Sequence, residues 1–122
     1  MTSAARILLI DDDARIRELL LRYLAEQGFD VKAAADGREM AQLLDRGRFD
    51  VWVLDLMLPG EDGLSILRRA RGTGENTPVI LLTTFDESDL ALRAAECGAQ
   101  GFLLKDASPE DLRDAIHRVA CG

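Results

Sequence analysis

The stretch Val51-Trp-Val-Leu-Asp55 sets four consecutive apolar residues directly before an acidic one. An uninterrupted apolar run of this length predicts a strand, Val51–Leu54, that is buried on both faces of a parallel sheet. Asp55, which ends the strand, would be costly to bury without a charged or hydrogen-bonding partner. The stretch therefore predicts a central strand and a partnered carboxylate at its end.

Four further segments have the composition of strands. Arg6–Ile10, Pro78–Leu82 and Gly101–Leu104 are also largely apolar, whereas Asp30–Ala34 contains polar residues that favour the edge of a sheet. Each of these runs is followed by an amphipathic segment. Strands that alternate with helices predict an α/β fold with a parallel sheet covered on both faces.

The amphipathic segments carry the usual signals of helix ends. Gly28 ends the first helix, Asp36-Gly-Arg-Glu39 opens the second as a capping box, and Ser108-Pro109 opens the last. Asp86 is the expected cap of a fourth helix from about Glu87 to Glu96. The apolar residues at helical spacing are Ile16, Leu19, Leu20, Tyr23 and Leu24; Met40, Leu43 and Leu44; Leu64, Leu67 and Ala70; and Leu112, Ala115, Ile116 and Val119.

Four of the five predicted strands end in a residue that can carry chemistry. These residues are Asp11 and Asp12, Asp55, Thr83, and Lys105. In an open doubly wound sheet, ligands bind at the carboxyl ends of the strands, where the strand order reverses. We therefore expect these distant residues to converge on one site.

The chemistry of such a site follows from its residue types. Clustered carboxylates repel each other, and hard oxygen ligands favour Mg²⁺, which also accepts phosphate oxygens. Asp55 is then a carboxylate nucleophile for a phosphoryl group, Lys105 balances the charge, and Thr83 offers a hydroxyl donor. Taken alone, Asp11 and Asp12 fit helix caps as well as a site, Thr83 fits a strand residue and Lys105 a surface lysine. For Asp13 we favour the cap of the first helix.

Composition excludes several classes of protein. The chain has 122 residues, enough for one domain, and a formal net charge of −7, which disfavours direct binding to nucleic acid. It contains no apolar run of about 20 residues and no signal-peptide pattern at its start, so we expect no membrane partner and a cytoplasmic location. Cys97 and Cys121 lack metal-ligand spacing and are interpreted as reduced thiols.

Four segments together resemble the signature blocks of response-regulator receiver domains of bacterial two-component systems. They are Leu8–Asp13, Val53–Gly60, Val79–Thr84 and Gly101–Lys105. The resemblance covers essentially the whole chain and implies a flavodoxin-like (CheY-like) doubly wound sheet of five parallel strands, order 2-1-3-4-5, with five helices. We expect residues 1–122 to form a single receiver domain, with no effector domain within them.

The resemblance also implies roles for the clustered residues. Asp55 would accept a phosphoryl group from a sensor histidine kinase. Asp12 and Asp55, together with the backbone carbonyl of Met57, would ligate Mg²⁺, and Asp11 would hold a water bound to the metal. Lys105 would pair with the phosphoryl group.

The implied output involves the last two helices and the last strand. Thr83 would be the switch hydroxyl and Phe102 the switch aromatic, through which phosphorylation controls dimerisation or a DNA-binding effector in transcription regulation. Helix one, around Ala14–Leu20, would contact the kinase's phosphohistidine domain.

The two halves of the chain resemble different subclasses of receiver. Asp55–Ser65 is similar to the winged-helix (OmpR-like) class, whereas Thr83–Asp86 and Gly101–Pro109 resemble the helix-turn-helix (NarL-like) class. Gly98–Phe102 lacks the paired acids that winged-helix receivers use in their charged dimer network. Asp106 stands where many receivers have a cis proline, so we predict a trans bond after Lys105.

Three other functions compete with this interpretation. A phosphoaspartyl hydrolase usually has a second Asp two residues after its nucleophile, where this chain has Met57. A flavodoxin-like cofactor carrier would need a phosphate-cradling loop in place of Asp11–Asp13, and signalling without phosphorylation would not need the full acid set. We further hypothesise that Met57 and Phe85 shield an aspartyl phosphate from water.

Overall fold

The computed structural model describes residues 4–58, 60–84 and 88–121. Its centre is a sheet of five parallel strands: β1 Arg6–Ile10, β2 Asp30–Ala34, β3 Val51–Asp55, β4 Val79–Thr83 and β5 Gly101–Leu104. Their order in the sheet is β2-β1-β3-β4-β5. The predicted fold class and strand order are thus confirmed.

Five helices cover the two faces of the sheet. They are α1 Ala14–Glu26, α2 Gly37–Arg46, α3 Gly63–Gly72, α4 Ser88–Glu96 and α5 Pro109–Cys121. The predicted loop before α3 contains a small hairpin, in which Met57–Leu58 pairs with Glu61–Asp62. No helix in the described part of the chain is long and apolar enough to cross a lipid bilayer.

Side chains of alternate strand residues enter two apolar cores, one on each face of the sheet. On β3, Trp52 and Leu54 enter the core under α2, α3 and α4, whereas Val51 and Val53 enter the core under α1 and α5. All five residues of β3 and all five of β4 are buried, as the apolar runs predicted. Their polar last residues, Asp55 and Thr83, are therefore held in fixed positions by a dense core.

The predicted helix ends are largely confirmed. The side chain of Asp13 accepts hydrogen bonds from the backbone amides of Arg15 and Ile16 at the start of α1. The side chain of Asp36 caps α2 through the amide of Glu39. The Glu39 carboxylate accepts from the amide of Ala35, one residue before the position that a standard capping box would use. The hydroxyl of Ser108 accepts from the amide of Asp111 at the start of α5.

Several boundaries differ from the sequence predictions. Asp55 and Thr83 are the last residues of their strands, not the residues that follow them, because each still lies in the ladder with its neighbour. Leu19 was predicted on the apolar stripe of α1, yet it is 58% exposed. The fourth helix is described from Ser88, and its predicted cap, Asp86, lies outside the described residues. The described peptide bonds contain no cis bond, which confirms the trans bond after Lys105.

Candidate functional site

The carboxylates of Asp11, Asp12 and Asp55 meet at the carboxyl ends of β1 and β3. One carboxylate oxygen from each residue lies within 4.8 Å of those of the other two. The register explains this convergence, because Ile10 pairs with Leu54 and the acids follow directly on each strand. Strand order reverses between β1 and β3, so the acids occupy the switch point that the sequence predicted.

Lys105 joins this acid cluster from the end of β5. Its Nζ lies 2.8 Å from Asp55 Oδ2 and 3.1 Å from Asp11 Oδ2, and its side chain is only 13% exposed. The backbone amide of Lys105 donates to the carbonyl of Thr83 at 2.7 Å, which anchors the lysine to β4. Burial works to lower the pKa of Lys105, but the hydrogen bonds and charges of Asp55 and Asp11 outweigh it, so this pKa is raised.

The Asp55 carboxylate is held on both of its oxygens. Oδ2 accepts from Lys105, and Oδ1 accepts from the backbone amide of Met57 at 3.1 Å. Burial raises the pKa of Asp55 from 3.8 to about 6, although the bonds from Lys105 and Met57 oppose this increase. The group is therefore mainly ionised at neutral pH, as a nucleophile must be.

Asp11 contributes a buried oxygen without a hydrogen bond. Its Oδ1 accepts from the amide of Asp13 at 2.9 Å, whereas Oδ2 accepts no hydrogen bond, although the ammonium of Lys105 lies 3.1 Å away. A buried carboxylate oxygen in this state is expensive unless a further cation or a bound water approaches it. The donor set of three carboxylates, one of which has this buried oxygen without a hydrogen bond, fits a Mg²⁺ ion.

Gly63, to which the sequence analysis assigned no role, lies directly against Asp55. A Cβ at this position would come within 2.6 Å of the Asp55 carbonyl oxygen and 3.0 Å of the Leu56 Cα. The first turn of α3 therefore packs on the backbone that carries the nucleophile, and only glycine leaves room for it.

The sequence patterns also did not indicate Arg17. Its side chain donates to the backbone carbonyl of Asp11, and a contact with backbone leaves no signal in the pattern of residue types.

The profile of the response regulator receiver domain family matches residues 7–117. The chain belongs to this family. Receiver domains serve as the phosphoacceptor modules of two-component response regulators, so the predicted family and its general function are confirmed.

Individual relatives agree with this family. Response regulator MprA of Mycolicibacterium vanbaalenii is 40% identical over 107 residues, which are 88% of this chain and 46% of that protein. The chain thus spans about half the length of the curated relatives it matches. The receiver domain of the Francisella response regulator 1452 superposes with a TM-score of 0.91 at 31% identity, over 96% of this chain and 97% of that one. The beryllofluoride-activated NtrC4 receiver domain dimer superposes with a TM-score of 0.86 at 30% identity, over 93% and 94% of the two chains.

The remaining predicted residues of this receiver domain surround the acid cluster. Thr83 is fully buried at the end of β4, one position beyond Leu82, which pairs with Asp55. Phe102 on β5 is half-buried against the core under α4 and pairs with Leu81, two residues before Thr83. Met57 contributes its amide to Asp55 while its side chain is 55% exposed. Phe85 lies outside the described residues.

Proposed function

We propose that this receiver domain accepts a phosphoryl group on Asp55 from the phosphohistidine of a sensor histidine kinase. An Asp55 carboxylate oxygen attacks phosphorus, the bond from phosphorus to the donor breaks, and the imidazole or carboxylate of the donor leaves with the bonding electrons. The observation that carries the proposal is the buried Asp55–Lys105 pair beside two further acids. A carboxylate so positioned has a cation ready for the incoming phosphoryl charge.

Lys105 and Thr83 have complementary parts in this transfer. The ammonium of Lys105 is held by Asp55 and Asp11, and it exchanges one of these contacts for a phosphoryl oxygen. The hydroxyl of Thr83 donates to a second phosphoryl oxygen. Because the backbone amide of Lys105 is hydrogen-bonded to the carbonyl of Thr83, the ends of β4 and β5 respond together to the phosphoryl group.

The acids fit the Mg²⁺ ion that the receiver family uses. Asp12, Asp55 and the carbonyl of Met57 would hold it directly, and Asp11 would hold one of its waters. When bound, the ion supplies positive charge that neutralises the phosphoryl oxygens. The chain's own residues contribute the nucleophile, the paired cation and the rigid strand ends.

We favour a signalling switch over a phosphoaspartyl hydrolase. The side chain two residues after Asp55 is that of Met57, and a thioether neither accepts nor donates a proton near neutral pH. It is exposed at the site, where an acid/base group of a hydrolase would stand. The phosphoryl group is therefore expected to persist long enough to act as a signal.

The kinase's phosphohistidine domain is expected to dock beside the site. A cavity of about 110 Å³ lies between α1 and the start of α5, with Ile16, Leu19 and Pro109 among its lining residues. Lys105, which binds Asp55, lines the same cavity. A partner seated on this apolar surface would bring its phosphoryl group to Asp55.

The output is proposed to pass through β4 and β5 to the face formed by α4, β5 and α5. Thr83 and Leu81 face the same side of the sheet, and Leu81 packs in the same core as Phe102. Movement of Thr83 toward a phosphoryl group would open space into which Phe102 turns. The altered face would then dimerise or act on a DNA-binding effector to regulate transcription, and a receiver dimer exists among the related structures.

Incubation with Mg²⁺ and acetyl phosphate tests the central step. Intact-mass measurement is expected to show one added phosphoryl group on the wild-type chain and none on Asp55→Asn. Omission of Mg²⁺ should abolish the label. Persistent labelling of Asp55→Asn would move the acceptor elsewhere, and an unlabelled wild-type chain would favour signalling without phosphorylation.

A further inference from the structure

The peptide bond that joins Asp11 to Asp12 is held by Arg17, at the end of the first turn of α1. Arg17 Nη1 donates to the carbonyl oxygen of Asp11 at 2.9 Å, in a partly buried setting. The backbone amide of Arg17 donates to the carbonyl of Asp13 at 2.9 Å, which is the first hydrogen bond of the helix and fixes where the arginine starts from. The side-chain bond is specific to arginine, and its charged donor makes it stronger than a neutral one.

Asp12 depends on this support more than the other two acids do. Asp55 is held on both of its oxygens, and Asp11 is held by the amide of Asp13 and the ammonium of Lys105. Within the described part of the chain, the exposed carboxylate of Asp12 takes part in no hydrogen bond or ion pair. Only the backbone on either side therefore sets the direction of its Cα–Cβ bond, from which its rotamers start, and the orientation of the preceding peptide is fixed by Arg17.

We infer that Arg17 is a positioning residue for cation binding, which it supports by fixing the Asp11–Asp12 peptide and so the position of Asp12. This inference rests on the proposed function of the acid cluster. Groups that orient metal ligands without touching the metal typically change affinity by about 10- to 100-fold when they are removed. Arg17 has the contacts of such a group, although it acts through backbone and not through a ligand side chain.

The sign of the effect separates this role from simple electrostatics. The guanidinium is positive, so its removal on charge grounds alone would make the acid cluster more attractive to a cation and tighten Mg²⁺ binding. Loss of the peptide orientation acts in the opposite direction. A weaker affinity after removal of the charge therefore has a geometric cause.

The test measures the Mg²⁺ dissociation constant of the chain without any phosphodonor. Binding is followed by calorimetry and by the increase in the urea midpoint with Mg²⁺ concentration, since a cation that binds the folded state stabilises it. The variants are Arg17→Met, which removes the donor, and Arg17→Lys, which keeps a charge and one donor group. Arg22→Met is the matched control, because it removes the same charge from an exposed position of α1.

We expect Arg17→Met to weaken Mg²⁺ binding about tenfold, Arg17→Lys to recover part of this loss, and Arg22→Met to bind as the wild type does. An unchanged or tighter affinity in Arg17→Met overturns the inference, as does an equal loss in Arg22→Met. Arg17→Gln carries the same expectation if Arg17→Met does not fold. Failure of the wild-type chain to bind Mg²⁺ would instead count against the proposed function.

Discussion

Burial raises the pKa of Asp55 from 3.8 to about 6, so ionisation of this carboxylate is less favourable in the folded chain than in the unfolded chain. Between these values the folded state binds more protons at Asp55 than the unfolded state does. The contribution of Asp55 to stability therefore falls as the pH rises from about 4 to about 6, and it stays low above that range. Removing the charge should have the greatest effect where the carboxylate is fully ionised.

We predict that Asp55→Asn stabilises the chain by about 1–2 kcal/mol near neutral pH in the absence of Mg²⁺. This is less than the roughly 3 kcal/mol that the pKa change alone corresponds to, because the variant also loses the ion pair with Lys105. The advantage should shrink at about pH 4, where the folded wild type carries a proton at this position. Urea unfolding at the two pH values measures the free energies of unfolding. Asp45→Asn on α2 removes a charge from an exposed position and serves as the control. An equal effect of Asp55→Asn at both pH values would show that ionisation is not the cause.

The side chain of Met57 belongs to a second prediction at the residue scale. It is 55% exposed, while its own backbone amide donates to Asp55 Oδ1. Met57→Asn replaces an apolar cover with a group that can orient water, so loss of the phosphoryl label should accelerate roughly tenfold, a barrier difference of about 1.4 kcal/mol. Met57→Leu keeps the apolar bulk and should retain the wild-type rate. The rates are read from intact mass after removal of phosphodonor, and equal rates in both variants would remove Met57 from this role.

At the scale of elements, apolar runs and cap residues were strong predictors. β3 and β4 are buried along their whole length, and Asp13 and Ser108 cap their helices as expected. Local patterns could not determine where a strand stops, because the ladder to a neighbouring strand decides this. The exposure of Leu19 could not be predicted either, since helical spacing does not tell whether another element covers the end of an apolar stripe.

Leu19 of α1 provides a prediction for the proposed docking surface. Its exposed side chain lines the cavity that also contains Lys105. Leu19→Glu should lower phosphotransfer from a kinase that labels the wild type by at least roughly tenfold, as expected for an apolar anchor worth about 1.4 kcal/mol or more. Labelling by acetyl phosphate should be unchanged.

The matched control for Leu19 lies on the opposite side of the domain. Leu92 of α4 is 61% exposed and is outside the docking cavity, so Leu92→Glu should leave kinase-dependent labelling intact. Equal losses in both variants would point to a general effect of the added charge. A loss of acetyl phosphate labelling in Leu19→Glu would point to damage within the site itself.

At the scale of the whole molecule, the order of the strands in the sheet assembles the acid cluster and its lysine. Asp11, Asp55 and Lys105 are far apart in sequence, and the order of the strands brings their ends together. Residues at strand ends were therefore sufficient to predict this cluster. The contribution of Gly63 was not predictable in the same way, because it depends on how closely α3 packs against β3.

The residues of the face formed by α4, β5 and α5 do not suit a dimer interface that is held by charged networks. The connection from α4 to β5 is Cys97-Gly-Ala-Gln100 and contains no acid, and Arg71 of α3 already binds the carbonyl of Gly98 and the side chain of Gln100. The same face exposes Leu92 and has a cavity of about 400 Å³, with Phe102, Val119 and the charged Arg118 among its lining residues. Because the connection supplies no acid to pair with Arg118, we predict that an interface here depends on apolar burial more than on ion pairs.

Phosphorylation by acetyl phosphate and Mg²⁺ should therefore shift the chain from monomer toward dimer in sedimentation velocity, and Leu92→Glu should prevent this shift. Screening by about 0.5 M salt weakens exposed ion pairs but leaves apolar contacts intact, so the dimer should survive it. Leu19→Glu, on the other side of the domain, should dimerise normally. Because apolar burial does not depend on screening, dissociation by salt would show that ion pairs beyond the α4–β5 connection hold the dimer. If the dimer forms to the same extent without a phosphodonor, dimerisation does not depend on the proposed switch at Thr83.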